Sequence, residues 1–63
     1  MSMDMLKMII SICTGGSVMG CTPEYVEFQY SDHIIRDKQK VDLHKAGFNT
    51  LTHGNTIKVM IPA

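Results

Sequence analysis

Few residues of this chain have the types and spacings that chemistry requires. Its three histidines, His33, His44 and His53, lie 11 and 9 residues apart. Neither interval sets two imidazoles on one helix turn, as a zinc-dependent hydrolytic site needs, so they read as surface residues and no metal is expected. Ser31-Asp32-His33 has the residue types of a catalytic triad, but adjacent side chains point in different directions and form no proton relay. Gly15-Gly16-Ser17 lacks both the preceding strand and the lysine of a phosphate loop. Tyr25, Phe28 and Tyr30 have faces that stack on bases or sugars; with no basic groove beside them they read as packing residues. Cys13 and Cys21 are the remaining nucleophiles. No enzymatic activity and no cofactor are expected.

Cys21 closes a segment of distinct character. The apolar run from Met8 to Met19 is too short to cross a bilayer, which takes roughly 20 apolar residues, and Gly15, Gly16 and Ser17 interrupt it. With Lys7 on its flank it fits the core of an export signal spanning residues 1–20. Met1, Met3 and Met5 are alternative starts, and a start at Met5 gives the cleaner signal by omitting Asp4. Removal of the signal would leave 43 of the 63 residues. A chain of that size seldom closes a hydrophobic core unaided, and with Cys21 as its single cysteine it has no internal disulfide. Its charges balance, with Arg36, Lys38, Lys40, Lys45 and Lys58 against Glu24, Glu27, Asp32, Asp37 and Asp42. Nucleic acid is therefore not an expected partner, since phosphate binding draws on a basic excess.

Residues 21–31 read as an extended spacer, opened by Thr22-Pro23-Glu24. Within it Tyr25–Tyr30 alternates, with Val26, Phe28 and Tyr30 on one side, the period of a short extended strand or of a segment laid against a partner. Ser31 or Asp32 can cap a helix running to about Lys45, with Ile34, Ile35, Val41 and Ala46 as its apolar stripe and Gly47 at its end. From Phe48 the period becomes two. Phe48–His53 and Thr56–Ile61 read as a β-hairpin whose turn is Gly54-Asn55, and Pro62 ends the second strand. Ile57, Val59 and Ile61 share one face that needs cover.

Two resemblances follow from these residues. Val18-Met19-Gly20-Cys21 resembles the lipobox of bacterial lipoproteins, in which the peptidase cuts before a cysteine whose thiol carries diacylglycerol. Gly20 supplies the small residue the cut requires, and Thr22, where an Asp would signal inner-membrane retention, implies the outer membrane. A helix ending in Ala46-Gly47-Phe48, a short strand, the Gly54-Asn55 turn and the strand Ile57–Pro62 resemble the opening part of an OmpA-like domain. Together they look most like the IcmN/DotK family, OmpA-like lipoproteins of the Dot/Icm type IVB secretion system.

The fold expected is an α+β fragment: a cleaved signal over 1–20, a lipidated spacer over 21–31, and one helix plus a hairpin over 32–63. The resemblance implies a structural lipoprotein on the periplasmic face of the outer membrane, held by covalent lipid on Cys21. Other proteins of the envelope secretion complex would dock on Ile57, Val59, Ile61 and the Gly54 turn. Peptidoglycan would be a partner only through a longer C-terminal part, because the Asp and Arg that bind it in OmpA-like domains lie beyond this point. A truncated peptidoglycan-binding module is the alternative function.

Overall fold

The computed structural model describes residues 3–62. Two helices and four strands follow in the order α1 (Met3–Ile12), β1 (Ser17–Cys21), β2 (Tyr25–Gln29), α2 (His33–Lys45), β3 (Asn49–His53) and β4 (Thr56–Met60). The strands form one antiparallel sheet in the order β1-β2-β4-β3. The α+β class is as expected, with a second helix and a second hairpin added by residues 3–21. Because β4 lies antiparallel to both β2 and β3, those two strands are parallel across it and β2-α2-β3 is a split β-α-β unit.

Local chemistry sets the boundaries. Asp32, rather than Ser31, caps α2, its Oδ1 accepting the Ile34 N–H at 2.8 Å. At the other end Gly47 has φ +92°, its N–H donates to His44 O at 3.0 Å, and the Phe48 N–H donates to Leu43 O at 3.0 Å. That pair of bonds is the glycine-terminated close of a helix. Gly54 has φ +59° in the β3–β4 turn, and the turn is pinned from outside by the Tyr30 N–H on Asn55 O at 2.8 Å. The β1–β2 turn is held by Thr22, whose Oγ1 accepts the Glu24 and Tyr25 N–H groups at 3.1 and 3.2 Å.

Alternation along the strands sends Val26 and Phe28 of β2, and Ile57 and Val59 of β4, to one face of the sheet. There they join Ile9 and Cys13 from the N-terminal segment, Tyr30, Leu43 and Phe48 in a single core. Both helices cover that face. Ile9 and Leu43 are wholly buried, and Met5, Leu6 and Ile12 pack around them. The opposite face, with Tyr25, Glu27, Lys58 and Leu51, carries no second layer among the described residues.

The apolar stripe expected on α2 is corrected here. The stripe assigned to α2 points outward: Ile34, Ile35 and Val41 are exposed, and the helix buries Gln39 and Leu43 instead. At about 100° per residue, Ile34 and Val41 lie roughly 160–180° around the helix from Leu43. Of the two readings of Tyr25–Tyr30 the strand is the one found, as β2, which lies centrally in the sheet. Ile57 and Val59, expected to dock a partner, are instead wholly buried under α1 and α2 among the described residues, and Ile61 is partly buried against the same core.

Each wholly buried aliphatic contributes about 1.5–3 kcal/mol. Ile9→Ala is expected to cost about 2–5 kcal/mol, most of the stability of so small a chain. Equilibrium urea unfolding of the full chain and this variant checks it. Residues 21–63 alone, without Ile9 and Cys13, should show no cooperative transition.

Candidate docking surface

The rotation of α2 is fixed by a buried polar chain. The Tyr30 hydroxyl donates to Gln39 Oε1 at 2.5 Å, and Gln39 Nε2 donates to Thr14 Oγ1 at 3.4 Å. This joins the end of β2, the middle of α2 and the α1–β1 turn. Without these partners the Gln39 amide would remain outside, because burying an unpaired amide costs several kcal/mol on the order of its lost hydrogen bonds. The turn closes tightly on the same residues. A Cβ on Gly16 would come within 2.7 Å of the Tyr30 ring, and one on Gly15 would strike the Ile35 side chain. The pair read from sequence as a weak point in an apolar run is thus where backbone lies flat against Tyr30 and α2.

Burial raises the Cys13 thiol above its ordinary value, with the neighbouring Tyr30 hydroxyl partly opposing the shift. Burial first, then Cys13 beside it, raises the Tyr30 hydroxyl. Both groups are therefore neutral in the fold, and Cys13 is a packed thiol rather than a nucleophile.

With Gln39 turned in, α2 presents aliphatic residues to solvent. Ile34 is 69% exposed and Val41 52%, and Lys38 and Lys45, also exposed, lie between and beyond them on the same side. On α1 the corresponding outward residues are Met3, Lys7 and Ile10. The two helices carry Lys7, Arg36, Lys38, Lys40 and Lys45 against Asp4, Asp37 and Asp42, a net charge of two positive. Glu24, Glu27 and Asp32 oppose Lys58 in the strands and loops, two negative. Arg36 is engaged, paired with Asp37 at 3.0 Å and donating to the Gly54 carbonyl. The outer layer is thus a slightly basic surface with aliphatic and lysine side chains interleaved.

The residues singled out from sequence fall elsewhere. Val18, Met19, Gly20 and Cys21 lie on β1, an edge strand with a bulge between Val18 and Gly20. Val18, Met19 and Cys21 are exposed and Gly20 is half-buried. The three histidines are exposed and dispersed, His44 Nε2 lying 3.0 Å from Thr50 Oγ1. No group of three metal-ligating side chains occurs among the described residues. Among the described residues, one shallow hollow of about 290 Å³ is lined by Ser17, Gln29, Tyr30 and Asn55, and another of about 330 Å³ by Met5, Met8, Phe48 and Pro62.

The architecture is therefore a small two-layer α+β unit whose exposed aliphatics gather on the helices. No family model, no curated protein and no solved structure matches the chain.

The neutral Cys13 and Tyr30 predict an alkaline weakness. Unfolding frees both groups to ionise at their ordinary values, 9.0 and 10.0, while the folded state holds their protons to higher pH. Their contribution is complete below about pH 9 and is lost as pH rises beyond it. The urea midpoint should fall between about pH 7 and pH 10.5, and Cys13→Ala should shrink that fall; a midpoint independent of pH contradicts it.

Proposed function

We propose that the chain is a docking protein, which attaches to a larger body through the outward side of its helical layer. The observation that carries this is α2's inverted burial: a glutamine faces the core while Ile34, Ile35 and Val41 face solvent. Isolated exposed aliphatics need no explanation, but several on one helix beside a buried amide mark a surface with an external partner. The order of α2, Gly47 and the β3–β4 hairpin supports, as a setting, the bacterial envelope assembly that the OmpA-like resemblance implies.

A second function has its own support. Val18, Met19 and Cys21 are at the surface, which favours a lipid anchor on Cys21. Cleavage before Cys21 would take α1 and all but the last residue of β1, and with them Ile9 and Cys13 from the core. Tethering would thus strip α1 from the helical layer and leave Ile57 and Val59 covered by α2 alone. Palmitate labelling of wild type and Cys21→Ser separates the cases: label on wild type alone supports the anchor, and equal label on both, or none, removes it.

The docking function predicts adducts from a photo-crosslinking side chain at position 41 in the producing cell, suppressed by Ile34→Ser. The same probe at position 51, on the opposite face of the sheet, is the control. If position 41 yields no more adduct than position 51, the helical layer is not the docking surface.

A further inference from the structure

We infer that the body on which the helical layer docks is an anionic bilayer surface, an inference that rests on the docking function above. No helix among the described residues is long and apolar enough to cross a membrane, so the contact is interfacial. The stripe Ile34, Lys38, Val41, Lys45 alternates aliphatic and cationic side chains on one side of α2. Met3, Lys7 and Ile10 repeat the alternation on α1. A protein partner's dry interface leaves little room for lysines inside an aliphatic patch, because each ammonium needs a counter-charge at its own depth. Lipid headgroups remove that difficulty. Aliphatic side chains enter the acyl boundary while lysine stems lie along it and lift their ammonium groups to the phosphate level.

Charge points the same way. The helices hold five of the six cations and three of the six anions, and Asp37 is already paired with Arg36. Asp4 lies near Met5 and Met8 at the margin, while the half-buried Asp42, four residues from Lys38 and three from Lys45, flanks the stripe lysines and leaves them in excess. A second copy suits the stripe less well in face-to-face antiparallel packing of α2. There each flank of the helix meets its own image, so the flank of Lys38, Lys45 and the half-buried Asp42 sets four lysines against two carboxylates.

The test is flotation of the full chain with phosphatidylcholine vesicles made with and without phosphatidylglycerol. Wild type should float with the anionic vesicles, and its bound fraction should fall at least about fivefold without phosphatidylglycerol or in high salt. The pair Lys38→Gln and Lys45→Gln should weaken binding about tenfold or more, and the pair Ile34→Ser and Val41→Ser should do likewise. Leu51→Ser, on the bare face of the sheet, should leave it unchanged. All five positions are exposed, and thermal melts confirm that each variant is folded. Binding that ignores phosphatidylglycerol, or that Leu51→Ser weakens equally, overturns the inference. So does self-association abolished by the Ile34 and Val41 variants, which assigns the stripe to a second copy. If wild type does not float but the probe at position 41 still gives adducts above control, docking stands and the lipid assignment falls. Absence of both removes both.

Discussion

The fold depends on Ile9 closing over the inner face of the sheet. Val26, Phe28, Ile57 and Val59 occupy that face, and α2 alone offers them only Leu43 as a wholly buried aliphatic. A four-stranded sheet with one helix and a glutamine above it would leave much of its apolar face wet. α1 supplies what is missing, with Ile9 and Cys13 in the core and Met5, Leu6 and Ile12 around it. Residues 3–21 are therefore bound into the domain energetically, and any event that removes them also removes α1's share of the second layer.

The second constraint is the Tyr30–Gln39–Thr14 chain. It makes a buried amide tolerable by giving its oxygen a donor and its nitrogen an acceptor, and so locks α2 at one rotation. The outward position of Ile34 and Val41 follows from that lock. The surface that gives the molecule its proposed role is thus a consequence of polar bonding in the interior, transmitted through the rigid helix. The close seat of Gly16 on the Tyr30 ring ties the α1–β1 turn to the same residues, so core closure and helix rotation are mutually supporting.

Much of this was legible in the sequence where the cause is local. The Asp32 cap, the Gly47 helix end, the Gly54-Asn55 turn and the alternation of Val26, Phe28 and Tyr30 each depend on a few adjacent residues, and each is present. What could not be read depends on distant ones. Assigning Ile34 and Val41 to the core is the natural reading of an apolar count; the Tyr30 hydroxyl, nine residues from Gln39, and the burial of Leu43 reverse it. An apolar run beside Lys7 carries the same pattern whether it enters a membrane or packs as a helix on its own sheet, and sequence period does not separate the two. Leu43 carries no periodic signal, because a single leucine in a charged helix makes no stripe, although the Gly47 close turns the last turn of α2 inward.

The account turns on residues 3–21 being part of the same cooperative unit as the central strands. Native-state hydrogen exchange of the full chain tests this most directly. The Cys13 amide, which donates to Ile9 O at 3.0 Å, and the other hydrogen-bonded amides of α1 should be protected to the same order as those of β2 and β4. If α1 exchanges at the rate of an open peptide while β2 and β4 remain protected, the N-terminal helix is not what closes the core, and the account fails.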